Sequence, residues 1–534
     1  MKILLVYPNL PLMMSPSIAM GIFTALAKQE GCEVELFETT SYSDEYQNRH
    51  LRLAELGAVR QNKESETKNM FFIQPKDKVV PDYQDKLTEF QPDVIMMSLV
   101  EDVWDMAKTL LEAGAEYDIP TVLGGVFPTA APEVVLSHPA VKYIAMHEGE
   151  RTFVDIIKAL RAGEDINTVN SIYWQDELGT IHRNPLQPLC DITDVIPDYS
   201  LFGENRYQRP MGGKIWQKAM SMETYRGCPY NCTYCNSPNT RDFSKVNDTG
   251  NFLRRKPAHI IDRDFQILRE KHKPDFVMFQ DDSFLARPER EIFEFCEAWS
   301  KHNTPFWFNT RIENCKPHTL QALKDVGLYR MTFGIESGNE EYRRRVLDRN
   351  VKDEAYYHHF DIINESNIPY SLNVIIGMPY ETRSHVMDGA SMVKRARGYD
   401  GLMVVPFTPY RGTGLRDMAV KAGFLPEDYI TGENNESMGG FMDGWVLDMP
   451  LPYLQREDVD RLVKVFTLYA YFSEDRWPEV YEAETNDILF QKLLTEYKEN
   501  FLTDQQMGGA DRLNKKFCAQ HDPTSSYTWQ VVNQ

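Results

Sequence analysis

Short apolar runs alternate with helically spaced stretches along the first 150 positions. Residues 2–7 (KILLVY) form a nearly continuous apolar run that stops at Pro8, the pattern of a strand buried on both faces. Ser17 to Gln29 puts Ile18, Gly21, Ile22 and Leu26 on one side and stops before Gly31, which predicts a helix. Residues 33–37 (EVELF) alternate as a strand, and residues 93–99 (DVIMMSL), 120–123 (PTVL) and 141–145 (VKYIA) give three more, with a helical stretch at 103–115. This alternation predicts an α/β fold with a parallel, doubly wound sheet. Ligands of such sheets bind outside the carboxyl ends of the strands. The informative positions are therefore Pro8–Pro16, Ser98–Trp104, Gly124–Thr129 and His147–Glu150. The polar stretch from about Ser43 to Leu87 exceeds a minimal unit of this kind and reads as a surface insertion or a lid.

Residues 151–215 read as a helix, a short hairpin (SIYW…GTIHRNP) and a Pro-rich linker. A second series then opens near Ser221, with strands at 221–226, 275–280, 305–309, 329–334, 370–376 and 401–405. Helical patterns at 256–272, 287–301, 316–326, 352–366 and 383–397 separate them. Six such units predict a partial (β/α)6 barrel whose working face lies at the C-terminal strand ends. From Phe424 the rhythm stops and the chain becomes aromatic-rich and mainly helical. Phe466, Tyr469 and Phe472 have the spacing of core residues, while Met442–Trp445, Tyr453 and Trp477 are candidates to line a partly apolar substrate pocket. The expected organisation is a Rossmann-like domain at 1–150, a linker at 151–215, the barrel at 216–423 and a helical cap at 424–534.

Charge narrows the classes. With 58 Lys+Arg against 79 Asp+Glu the net charge is −21, which argues against a general nucleic-acid or anionic-membrane binder. The chain has no apolar run long enough for a membrane span, and Pro8, Pro11 and Pro16 interrupt the only stretch that resembles a secretory signal. A cytoplasmic, reduced protein is expected. Eight cysteines are too few for a disulfide scaffold. Cys32, Cys190, Cys296, Cys315 and Cys518 are scattered singly and read as small buried hydrophobes.

The other three fall together, in Arg226-Gly227-Cys228-Pro229-Tyr230-Asn231-Cys232-Thr233-Tyr234-Cys235, directly after the first strand of the second series. Three thiolates this close can wrap one compact metal centre. A structural zinc site needs a fourth ligand, and no Cys or His follows at a zinc-like spacing. A [4Fe–4S] cluster held by three thiolates keeps one iron open for an exogenous ligand.

Cys-x3-Cys-x2-Cys with an aromatic residue before the last Cys, at the first turn of a partial barrel, resembles the radical SAM superfamily. The resemblance implies that S-adenosylmethionine (SAM) chelates the open iron and is cleaved by one electron to methionine and a 5′-deoxyadenosyl radical. It also implies SAM contacts. Asp281 and Asp282 end the second barrel strand, where the family faces the methionyl amine. Glu336 and Ser337 end the fourth, for the ribose or amino-acid end. Asn373 and Gly377 belong to a strand-five GxPxET-like stretch, and Tyr234 lies near adenine. One of Arg343, Arg344 and Arg345 is a further candidate for the SAM carboxylate.

The amino-terminal unit lacks a G-x-G-x-x-G and a Walker A motif. Ser98, Gly124-Gly125 with Thr129, Pro132-Glu133 and Glu148-Gly149-Glu150 resemble the cobalamin-binding domain fused in front of many radical SAM enzymes. The implied cobalamin contacts are Ser98, Leu99, Val100, Gly124, Gly125, Thr129, Glu148 and Gly149. None of the twelve histidines has Asp two residues before it, so the Asp-x-His-x-x-Gly lower-ligand motif is absent, and loop Leu99–Trp104 is expected under the corrin. Together the resemblances imply a cobalamin-dependent radical SAM enzyme. Its expected chemistry is transfer of a methyl group from SAM, by way of cobalamin, to an unactivated carbon or phosphorus of a small molecule. A flavodoxin- or ferredoxin-type electron donor is expected as partner. A cyclase or ring-rearranging enzyme without methyl transfer is the alternative, and a non-catalytic cobalamin- or cluster-binding sensor is the alternative from another class.

Overall fold

Two mainly parallel sheets are joined by a shared apolar cluster. The computed structural model describes residues 1–11, 13–44, 73–211, 214–431 and 445–499. The first sheet contains β1 (Lys2–Tyr7), β2 (Glu33–Glu38), β3 (Val94–Ser98), β4 (Thr121–Gly124), β5 (Tyr143–Ala145), β6 (Ile172–Gln175) and β7 (Ile181–Arg183). Their spatial order is β2-β1-β3-β4-β5-β6-β7. The first five run parallel, and β6 and β7 add antiparallel. The hairpin of the expected linker is thus part of this sheet. Ile3, Leu4, Leu5 and Val6 have no exposed surface: Ile3 and Leu5 join one core, Leu4 and Val6 the other. That two-sided burial explains why β1 has no polar alternation. The strand order reverses between β1 and β3, which puts a crevice at their carboxyl ends.

The end of the polar stretch at 43–87 is not an insertion. Val79–Phe90 is the helix that crosses from β2 to β3, burying Val79, Tyr83, Leu87 and Phe90. Residues 45–72 lie outside the described residues.

After a small hairpin of β8 (Arg209–Met211) and β9 (Lys214–Trp216), the barrel begins with β10 (Ala219–Met222). This strand is shorter than expected. The chain leaves the sheet at Glu223, and β11 (Tyr225–Arg226) pairs antiparallel with β12 (Arg254–Arg255) instead. The barrel continues through β13 (Phe276–Phe279), β14 (Phe306–Thr310), β15 (Leu328–Glu336), β16 (Tyr370–Ile376) and β17 (Gly401–Pro406). All six pair in sequential order and in parallel. Among the described residues the last segment is helical, at Arg456–Tyr471, Trp477–Ala483 and Asp487–Tyr497. Phe466, Tyr469 and Phe472 are core residues, and Trp445 is buried against Gly377. No described helix is long and apolar enough to cross a membrane.

Candidate active site at the junction of the two sheets

The cysteine loop is fixed from below. Asp281, at the end of β13, is buried and accepts from the Thr224 and Tyr225 backbone N–H groups (2.7 and 3.1 Å), from the Thr224 hydroxyl (2.5 Å) and from Arg287 (2.6 Å). Gly227 follows with φ +98°, and a Cβ there would stand 2.6 Å from the Phe252 carbonyl oxygen, so the turn into Cys228 requires glycine. Arg241, on the following helix Ser237–Val246, donates to the carbonyls of Pro229 and Tyr230 (3.1 and 3.2 Å) and to Asn231 Oδ1 (2.5 Å). Thr233 is tied to Val346, Leu347 and Leu415.

None of the three cysteines is in a disulfide. Burial pushes the half-buried Cys228 thiol up to about 11, Cys235 is exposed, and a bound metal would hold the three as thiolates near neutrality. Each sulfur has a donor aimed at it: the Tyr230 N–H at Cys228, the Ser237 N–H at Cys235 (3.4 Å) and Arg311 Nη1 at Cys232 (3.8 Å).

Behind the loop, Tyr234 donates to Glu336 Oε1 (3.2 Å), and buried Arg349 donates to the Tyr234 hydroxyl (3.2 Å), Glu336 (3.4 Å) and the Gly334 carbonyl (2.6 Å). Glu336 holds φ +65°, a left-handed conformation that costs a non-glycine residue energy. Burial raises its carboxyl, and the Arg349 charge opposes that rise. Asp282 faces the loop beside Cys228 and Cys235. It is exposed there; crowding by the surrounding chain first, and the Asp281 charge second, push its carboxyl up. Around the loop, Asn236 Oδ1, Arg311 Nε, Glu313 Oε2 and Arg349 Nε are buried without a hydrogen-bond partner. Such unmet polar atoms are uncommon and suit a site built for a polar ligand.

A second cavity opens at the carboxyl ends of β3, β4 and β5. It encloses about 1080 Å³, open solvent at its mouth included, and Met96, Ser98, Gly124, Gly125, Gly149 and Phe153 are among its lining. Gly125 has φ +108°, and a Cβ there would lie 2.5 Å from the Leu99 carbonyl oxygen. Glu223 and Arg226 also line this cavity. Arg226 pairs with Glu150 (2.7 Å), Glu223 (2.7 Å) and Glu148 (3.2 Å), two residues before the first cysteine. One arginine therefore joins the wall of the cleft to the cysteine loop.

The family model described as the radical SAM superfamily matches residues 222–393, and the B12 binding domain matches residues 53–157. The chain therefore carries a radical SAM domain and a B12-binding domain. Its cofactors are a [4Fe–4S] cluster, SAM and cobalamin. The chain is 25% identical over 357 residues to an uncharacterized methyltransferase of Pyrococcus horikoshii, covering 64% of this chain and 72% of that one. It is 24% identical over 388 residues to cytidylyl-2-hydroxyethylphosphonate methyltransferase of Streptomyces wedmorensis, covering 64% and 70%. The fold is similar to that of the cobalamin-dependent S-adenosylmethionine radical enzyme OxsB, at a TM-score of 0.62 and 15% identity, over 100% of this chain and 74% of that one.

The residues present fit these groups. Three free thiols with sulfur-directed donors suit a cluster, and the glycine-floored, largely apolar cleft suits a large flat cofactor. In the B12-binding domain, Ser98, Gly124, Gly125, Glu148 and Gly149 all line the cleft. Leu99 does not: it is buried in the core under Trp104 and Phe127. Val100 is exposed beside it on the strand-end loop. Thr129 is a structural brace, donating to the Gly125 carbonyl (2.9 Å) and accepting from the His147 N–H (3.0 Å). Glu148 is gripped by Arg226 and Arg254 and accepts from the Cys190 N–H (3.1 Å). Burial alone would raise its carboxyl, but Arg254 and Arg226 outweigh that and bring it down to about 2.

In the radical SAM domain, both Asp281 oxygens are engaged by Thr224, Tyr225 and Arg287, so only Asp282 of that pair keeps a carboxylate turned to the loop. Gly377 has its N–H bonded to Glu381 (2.6 Å) and its carbonyl to Trp445 (2.5 Å), which makes it a turn residue. Asn373 is half-buried on β16, on the same side as Ser371 and Ile375. Ser337 is buried, its hydroxyl accepting from the Asn339 N–H (3.4 Å). Arg343 donates to the Ser337 carbonyl and pairs with Asp353, while Arg344 and Arg345 pair with Glu341 at the surface. Arg311 and Arg349 are the arginines that reach Cys232 and Glu336. Sequence reading missed both, although Arg311 stands immediately after β14, where the working face of a barrel lies. Of the single cysteines, Cys32, Cys296 and Cys315 are buried, Cys190 is half-buried beside Glu148, and Cys518 lies outside the described residues.

Proposed function

We propose that this enzyme is a cobalamin-dependent radical SAM methyltransferase acting on a small molecule at an unactivated carbon or phosphorus. The observation that carries the reading is Arg226, which lines the glycine-floored cleft and stands two residues before Cys228, so the wall of that cleft runs into the cysteine loop. When bound, the reduced cluster supplies the electron that splits SAM, and cobalamin supplies the carrier for a methyl group. Asp282 is placed to accept from the SAM ammonium, and that cation would favour its ionised form. Glu336, held by Arg349 and Tyr234, is placed to accept from ribose hydroxyls. Gly124 and Gly125 let backbone approach the corrin, with exposed Val100 and Val126 giving the strand-end loops an apolar surface. A flavodoxin- or ferredoxin-type donor and a cytoplasmic setting complete the reading. The Streptomyces relative is named for methylation of a phosphonate nucleotide, which makes small phosphonate or nucleotide conjugates the first substrates to try. Anaerobic incubation of the reconstituted enzyme with methyl-labelled SAM and such candidates is expected to move the label into the small molecule. Label remaining in SAM-derived species, with the small molecule dehydrogenated or ring-closed, would favour the cyclase reading.

A further inference from the structure

Arg311 is the cation nearest the cysteine sulfurs, and nothing in the SAM or cobalamin assignments uses it. Its guanidinium lies 3.9 Å from the centroid of the Tyr230 ring, donates to Cys232 Sγ at 3.8 Å and pairs with Glu313 at 2.5 Å. The two charged side chains are only 12% and 18% exposed, so water screens them weakly. Tyr230 sits between Cys228 and Cys232, and its hydroxyl donates to Asn314 Oδ1 (2.8 Å). The ring and Glu313 together hold the guanidinium against one sulfur. Cys228 and Cys235 take their hydrogen bonds from neutral amide N–H groups; the Arg311 charge also reaches Cys228, but only Cys232 has the guanidinium as its donor.

We propose that Arg311 sets the reduction potential of the cluster through its charged hydrogen bond to Cys232, with Glu313 as the counter-charge that limits the effect. Reduction adds one electron, supplied by the external donor, to a centre already negative through its thiolates. A nearby cation and a hydrogen bond to sulfur both stabilise that added charge. Arg311 stays protonated throughout, so no proton moves with the electron. Arg311 is a positioning and tuning residue here, since it acts through Cys232. The inference rests on the cluster assignment, and the experiment separates the two.

The full-length protein is reconstituted anaerobically with iron and sulfide, without SAM, and titrated against redox dyes while the reduced-cluster EPR signal is followed. Arg311→Gln is expected to lower the equilibrium constant for reduction about tenfold, which for a one-electron couple is about 59 mV. Glu313→Gln is expected to shift it the other way, and Arg311→Lys to recover part of the loss. Unchanged potentials in Arg311→Gln and Glu313→Gln at full iron content would overturn the inference alone. If Arg311→Gln retains no iron, Glu313→Gln decides: an upward shift supports the proposal and an unchanged potential overturns it. A wild-type protein that binds no cluster would overturn the cluster assignment and this inference together.

Discussion

The Asp281 carboxylate and the Arg287 guanidinium form a fully buried ion pair at 2.6 Å, and the same carboxylate holds the backbone at Thr224 and Tyr225 just ahead of the cysteine loop. Removing one partner of such a pair leaves an uncompensated buried charge, at a cost of about 3–5 kcal/mol. Asp281→Asn is therefore expected to lower the melting temperature and the iron bound per chain together. Asp282→Asn is expected to leave both near wild type and to weaken SAM binding. Thermal melts, iron analysis and a SAM binding isotherm on the two variants separate these roles. Equal behaviour of the neighbours would contradict the division of labour.

Gly124 gives a test of the cleft that is independent of folding. A Cβ there would meet nothing nearer than Ala145 at 3.8 Å, so the backbone tolerates a side chain, yet that side chain would enter the cavity. Gly124→Val is expected to change stability by no more than about 1 kcal/mol, the range of strand preferences. Cobalamin affinity should fall on the order of tenfold or more, which is about 1.4 kcal/mol of lost binding. Spectrophotometric cobalamin titration beside a thermal melt is the check, and unchanged affinity would place the corrin elsewhere.

Glu381 makes a pH prediction. Burial pushes its carboxyl from 4.5 up to about 8, against the N–H bonds it accepts from Gly377 and Met378. Between those values the folded protein holds a proton that the unfolded chain has released, so folding stability falls as pH rises through the window. Glu381→Gln keeps an acceptor for the two N–H groups and removes the titration. The difference in melting temperature between wild type and variant should widen in favour of the variant from about pH 5 to 8. Parallel curves would show that Glu381 is ionised throughout.

β1 was legible as a nearly unbroken apolar run because it is buried on both faces, and β16 as a run of large apolar residues whose burial alternates around Ser371 and Asn373. The helix Val79–Phe90 was not, because its apolar face is four residues spread through charged sequence, with Pro81 near its start. At the site, the cysteine spacing singled out the loop at 228–235, but Asp281 and Asp282 are equivalent as sequence. Only the fold shows that one carboxylate is enclosed by Thr224 and Arg287 and the other is not. Arg311 and Arg349 were invisible for a similar reason. Single arginines carry no motif, and their meaning comes from the sulfur, the ring and the carboxylate that distant strands bring to them.

The most direct test of methyl transfer through this pair of sites is the fate of SAM. Enzyme reconstituted with iron, sulfide and cobalamin is incubated anaerobically with SAM, a strong one-electron reductant and candidate small molecules, and the SAM-derived products are quantified. Formation of both 5′-deoxyadenosine and S-adenosylhomocysteine is expected, with a product heavier by one CH2 unit, and all three should be lost in Cys232→Ala. Formation of 5′-deoxyadenosine with no S-adenosylhomocysteine would contradict a methyltransferase.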